Sequence, residues 1–124
     1  MAGELILIVE DNEKNRKLER DVLQAKGYRT IEAETGEDGV RLAKEHRPAL
    51  VLMDIQLPGI DGVTALGQLR ADAGTRAIPV IAVTASAMTH DRQKIMAAGF
   101  DGYQSKPIRV KEFLAAVRAM LDRK

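Results

Sequence analysis

Three short apolar runs constrain this chain more than any other feature: "LILIV" at 5–9, "ALVLM" at 49–53 and "VIAV" at 80–83. None shows the polar/apolar alternation of a half-buried strand, and none is long enough to be a helix by itself. Runs of this kind fit strands buried on both faces, as in a parallel sheet with helices above and below. Two more polar segments complete the set as edge strands. In "YRTIEAE" at 28–34 the charges discourage further pairing, and "DGYQSK" at 101–106 suits the opposite edge.

Helical patterns fill the gaps. Residues 13–26 place Leu18, Val22 and Ala25 on one face, and Gly27 offers a stop. Residues 36–46 follow Thr35, with Asp38 in the third position of a capping-box variant, and Pro48 closes the segment. Asp61 caps a helix over 62–71 whose inward residues are Val63, Leu66 and Leu69; a fourth helix covers 89–98 and ends at Gly99. In the last one Val110, Phe113, Leu114, Val117 and Leu121 recur at helical spacing. The order is β-α five times, which implies a parallel sheet wrapped by helices through right-handed crossovers.

Composition narrows the rest. A chain of 124 residues is one domain, residues 1–124, with room for a single core. A formal net charge of +1 gives no pointer to nucleic acid or an anionic membrane. The lack of Cys excludes a disulfide scaffold and thiolate metal sites. The run at 5–9 is too short for a signal-peptide core or a membrane span and has no basic leader, so a cytoplasmic chain is expected.

The unusual residues fall at strand ends. The first strand leads into Glu10-Asp11, the third into Asp54, the fourth into Thr84, and the fifth toward Lys106-Pro107. In open α/β sheets the ligand crevice lies at these carboxyl ends, where the strand order reverses. Three carboxylates gathered there repel one another, by about 4 kcal/mol per pair at 4 Å and an effective dielectric near 20. A hard divalent cation with oxygen ligands relieves that cost, and Lys106 supplies one further positive charge. A rigidly held, rim-exposed Asp54 suits a nucleophile toward phosphorus. Glu10-Asp11 also has a plain alternative as acids at a helix start, with Asp11 able to serve both roles.

In order and spacing, "LIVEDN", "LVLMDIQLPGIDG", "VIAVTA" and "GYQSKPI" resemble a response-regulator receiver domain over essentially the whole chain. The resemblance implies a flavodoxin-like (βα)5 doubly wound sheet of strand order 2-1-3-4-5. It implies that Asp54 is the phosphoacceptor and that Glu10, Asp11, Asp54 and the backbone carbonyl of Gln56 hold Mg²⁺. Thr84 is then the switch hydroxyl, Lys106 the phosphate-contacting lysine and Tyr103 the switch aromatic, with a cis bond at Lys106-Pro107. The implied donor is a phosphohistidine on a histidine kinase or phosphotransfer protein. The implied reader of the switch is a protein docking on the face of the fourth helix, fifth strand and fifth helix, with the chain a monomer or weak dimer. Ser86, two residues after Thr84, and Gln56, two after Asp54, flank the phosphoryl position and bear on how long the modification lasts.

Such a module is a signalling protein with slow self-dephosphorylation, not an enzyme acting on others. An aspartyl-phosphate hydrolase needs an acid/base two residues after the nucleophile, and Gln56 does not titrate. A docking scaffold without phosphoryl chemistry, a relay intermediate and a receiver excised from a hybrid kinase are the other readings. Met1 and a last helix that ends near the terminus favour a stand-alone protein, which then acts through protein contact. His46 and His90 are expected to hold no metal, and Met88, Met96 and Met120 are expected in packing or interfaces.

Overall fold

The computed structural model describes residues 3–85 and 89–123, apart from the side chains of residues 89–91. Ser86, Met88 and the side chain of His90 lie outside the described residues. The element order is β1 Leu5–Val9, α1 Glu13–Ala25, β2 Arg29–Ala33, α2 Gly36–His46, β3 Leu50–Asp54, α3 Gly62–Ala71, β4 Val80–Thr84, α4 Thr89–Ala97, β5 Gly102–Ser105 and α5 Val110–Leu121. All pairings are parallel, in the order β2-β1-β3-β4-β5. Among the described residues no helix is long and apolar enough to cross a membrane.

The apolar runs become strands because each is covered twice. Leu7, Val9, Val51, Met53, Val80 and Ala82 pack with α2, α3 and α4 through Val40, Ala43, Leu66, Leu69 and Ile95. Their alternates Ile6, Ile8, Leu50, Leu52, Ile81 and Val83 pack with α1 and α5 through Leu23, Phe113 and Val117. Every residue of β3 and β4 is buried, which is why neither strand alternates in sequence. The parity also sorts the residues at the strand ends. Glu10 and Asp54 continue the α1/α5 side, whereas Thr84 continues the opposite side, together with Tyr103, whose ring packs on that core.

Two caps stand where sequence chemistry put them. Thr35 Oγ1 accepts the N–H of Asp38 at 3.1 Å, and Asp61 Oδ1 accepts that of Thr64 at 2.8 Å. The box at α2 is only half made, because Asp38 turns its carboxylate to Arg41. The alternative reading of an acidic cap on α1 does not hold: Asn12 caps it, accepting the Asn15 N–H at 3.0 Å, which leaves Asp11 to the rim. Strand β3 runs one residue further than the apolar pattern and includes Asp54, and α4 ends at Ala97 rather than 98.

Three inward faces need correction. In α1 the buried residues are Glu19 and Leu23, while Leu18 is 40 % exposed and Ala25 is also exposed. The helix is rotated by its ties to β2: Arg16 Nε and Arg20 Nη1 both reach Glu32, at 3.1 and 3.2 Å. Residues 16, 19, 20 and 23 share one stripe at helical spacing, so holding Arg16 and Arg20 over β2 turns Glu19 and Leu23 inward and Leu18 outward. Val63 and Val110 are 42 % and 47 % exposed. Both stand in the first turn of their helices, where the chain is only entering the core; beyond Gly62, which has no side chain, the buried side chains begin at Ala65 and Phe113.

The loop after β3 is set by a close approach. A Cβ on Gly62 would lie 2.3 Å from the carbonyl oxygen of Asp54. Gly62→Ala is therefore expected to destabilise the fold by about 1–3 kcal/mol through overpacking, whereas exposed Val63→Ala stays within about 0.5 kcal/mol. Urea denaturation midpoints check the pair; equal losses at both positions would contradict the placement of α3.

Candidate functional site

The sheet turns at the junction of β1 with β3, and the strands there deliver their terminal residues to one rim. Glu10 is pinned as the residue after β1: its N–H donates to the Ala33 carbonyl at 2.9 Å, and its own carbonyl accepts from Arg16 Nη1 at 3.1 Å. Asp54 ends the fully buried β3. Both side chains are almost wholly withdrawn from solvent, Glu10 at 1 % and Asp54 at 6 % exposure, so Asp54 is held rigidly but is not the rim-exposed acid expected from the sequence: it ends a fully buried strand and lies against Lys106. Oxygens of Glu10, Asp11 and Asp54 all lie within 4.8 Å of one another, with Asp11 on the exposed side.

Lys106 lies between two of these carboxylates. Its Nζ is 3.0 Å from Asp54 Oδ2 and 2.5 Å from Glu10 Oε1. The strand pairing carries it there, because its N–H donates to the Thr84 carbonyl at 2.8 Å. The following bond to Pro107 is cis. The other oxygens have backbone donors: Gln56 N–H reaches Asp54 Oδ1 at 3.3 Å, and Asn12 N–H reaches Glu10 Oε2 at 3.1 Å. Gln56 thus contributes its N–H to Asp54 in this arrangement.

Burial pushes the Glu10 carboxyl up to about 7, against the pull of Lys106 and the Asn12 N–H. For Lys106 burial works to lower the pKa, but the carboxylates of Glu10 and Asp54 outweigh it and hold it above the ordinary lysine value. The site is thus a triad of acids with one cation. The donors fit a hard divalent ion: all are oxygens, Asp11 opens to solvent, and Glu10 Oε1 is buried with no hydrogen bond, its approach to Lys106 being an ion pair.

Thr84 and Tyr103 stand on the other side of the sheet. Thr84 is 2 % exposed and borders an apolar cavity of about 400 Å³ with Ile55, Val63, Lys94 and Ile95. Tyr103 pairs in register with Ala82, and Ser105 with Thr84. Sequence position therefore brings Glu10, Asp11, Asp54 and Lys106 into one cluster, and Thr84 and Tyr103 into a second group behind it. His46 is on the surface, 3.8 Å from Glu45.

Sequence reasoning missed two residues. Arg16 braces the Glu10 carbonyl and Glu32 at once. Glu19 is 2 % exposed on the inner face of α1. Burial pushes its carboxyl up to about 8, with the charges of Glu10 and Asp54 adding and Lys106 opposing. The available signal was its place four residues before Leu23, a polar residue in the stripe that faces the sheet.

Glu19 gives a signed pH prediction. The unfolded carboxyl titrates near its ordinary 4.5 and the folded one near 8. Its favourable contribution is full below the lower value and is lost as pH rises through the upper one. Glu19→Leu is therefore expected to be more stable than the parent by about 1–3 kcal/mol in alkaline buffer, with the gain shrinking toward acid. Chemical denaturation across the range checks this, and a pH-independent difference would contradict it.

Comparison with known proteins agrees with this geometry. Residues 6–118 match the family model described as the response regulator receiver domain. Polar-differentiation response regulators named DivK are similar throughout: that of Brucella anthropi is 48% identical and that of Brucella abortus 47%, each over 94% of both chains. Among solved structures, the receiver domain of a sensor histidine kinase from Pseudomonas aeruginosa superposes with a TM-score of 0.91 at 35% identity, covering 98% of this chain and 100% of that one. That structure carries a magnesium ion in its active site cleft. A putative response regulator from Chloroflexus aurantiacus gives 0.93 at 28% identity, with 98% and 99% covered. The matched span, the identity to these regulators and the shared parallel fold show that the chain belongs to the response regulator receiver domain family.

Proposed function

We propose that Asp54 accepts a phosphoryl group and that the modified rim is read by a partner protein. The observation that carries this reading is Lys106 held between Glu10 and Asp54 beside a three-carboxylate cluster. A carboxylate oxygen of Asp54 attacks phosphorus; the new P–O bond forms as the P–N bond of a donor phosphohistidine breaks. The electron pair stays on the imidazole nitrogen, which takes a proton from solvent. With acetyl phosphate the bond that breaks is P–O, and acetate leaves with the pair.

The residues supply position and charge. Lys106 is already within hydrogen-bond distance of Asp54 and follows the transferred oxygens. The Gln56 N–H orients the carboxylate. Glu10, Asp11, Asp54 and the Gln56 carbonyl are the groups that would hold Mg²⁺. When bound, the ion neutralises charge on the phosphoryl oxygens. Thr84, which ends the neighbouring strand beside Asp54, turns its hydroxyl over the rim to the modified group, and Tyr103 on the same face follows it. New charge and acceptor oxygens then bias an element with two arrangements. Slow hydrolysis of the acyl-phosphate resets Asp54.

The donor is a histidine kinase or phosphotransfer protein, and the target docks on α4, β5 and α5. Likeness to polar-differentiation regulators supports a place in control of cell polarity and division.

Incubation with acetyl phosphate and Mg²⁺ is expected to add one phosphoryl group by intact mass, and none with chelator or in Asp54→Asn. Lys106→Met, which keeps length and loses charge, should slow the reaction on the order of 10²-fold. An adduct that persists in Asp54→Asn would place the chemistry elsewhere.

A further inference from the structure

Helix α4 and strand β5 meet where Arg92 lies over Tyr103. The guanidinium carbon is 5.6 Å from the ring centroid, inside the roughly 6 Å reach of a cation–π contact. The ring is half-buried and packs on the core beneath α2, α3 and α4. Arg92 precedes Ile95 by three residues, so both share a face of α4, and Ile95 is 7 % exposed in that same core.

A second arginine–tyrosine pair in the molecule is built differently. Arg118 lies 6.0 Å from the Tyr28 ring, but its guanidinium is held by Glu4 and Asp122, at 2.9 Å each, and donates to the Tyr28 hydroxyl. That arginine is an anchor whose place does not depend on the ring. Among the described residues Arg92 has no carboxylate at ion-pair distance. Its guanidinium lies over the ring face, and a change of ring orientation costs that contact.

We propose that Arg92 is a positioning residue that holds the Tyr103 ring in the orientation seen here and so sets how readily the α4–β5 side rearranges when Asp54 is modified. This rests on the reading of Tyr103 as the reporter given above. The plain alternative is a surface arginine covering a tyrosine edge with no bearing on the switch. The two differ in linkage: only a group that favours one of two arrangements changes the affinity for whatever favours the other.

The test uses the full chain, ring-labelled tyrosine and NMR. With only two tyrosines, Tyr28→Phe assigns the signals. Beryllofluoride with Mg²⁺ serves as the phosphoryl analogue, and its own fluorine signal reports binding. The Tyr103 signal is expected to move on saturation in the parent. In Arg92→Met the half-saturating concentration should fall about two- to five-fold, the size of an exposed cation–π contact, and Arg92→Lys should recover part of it. In a Tyr103→Leu background the Arg92→Met effect should vanish. An unchanged or raised half-saturation in Arg92→Met, or an effect that survives without Tyr103, overturns the proposal alone. A parent ring signal that stays still while the analogue binds overturns the reading of Tyr103 and the proposal with it.

Discussion

Everything at the rim depends on how three carboxylates are made tolerable to one another. Like charges at such spacing cost about 4 kcal/mol per pair at an effective dielectric near 20. The fold brings them together regardless, because β1 and β3 are neighbours at the point where the strand order reverses. Lys106 offsets part of the repulsion by standing against Glu10 and Asp54 at once. A proton on Glu10 offsets more near neutral pH, its pKa being raised to about 7 by burial. The remaining negative charge suits a divalent cation with oxygen ligands. The buried strands β1 and β3 hold Glu10 and Asp54 in place.

The alternation of a strand divides the work. Glu10 and Asp54 continue the side covered by α1 and α5, where Glu19 lies beneath them. Thr84 and Tyr103 stand on the other side with α3 and α4, where Arg92 covers the ring. Lys106 links the two, pairing its ammonium with the acids and its backbone N–H with Thr84. The sheet thus separates the charged cluster at the rim from the packed face that carries Thr84 and Tyr103.

Much of this was legible because it depends on local chemistry. Four- and five-residue apolar runs without alternation read as doubly buried strands, and Thr35 and Asp61 cap by rules that reach only three residues along the chain. The place of Asp54 was legible because it stands at the end of a core strand. What was not legible involves long-range contacts. The rotation of α1 is decided by Arg16 and Arg20 gripping Glu32 on a different element. The 3.6 period marks Leu18 as readily as Leu23, and nothing local says which turns inward. The cap at Asn12 was missed because two acids precede it, and acids are equally good at a helix start. Arg92 over Tyr103 joins residues whose pairing exists only once α4 has docked.

The central claim, that Asp54 carries the phosphoryl group, is tested most directly by trapping the bond itself. Phosphorylated chain is reduced with borohydride, which converts an acyl-phosphate to the corresponding alcohol, and its peptides are then sequenced by mass. The account predicts homoserine at position 54 alone, dependent on Mg²⁺ during phosphorylation. Homoserine at position 11, a glutamate-derived alcohol at position 10, or an unreduced chain that still carries phosphate would contradict it.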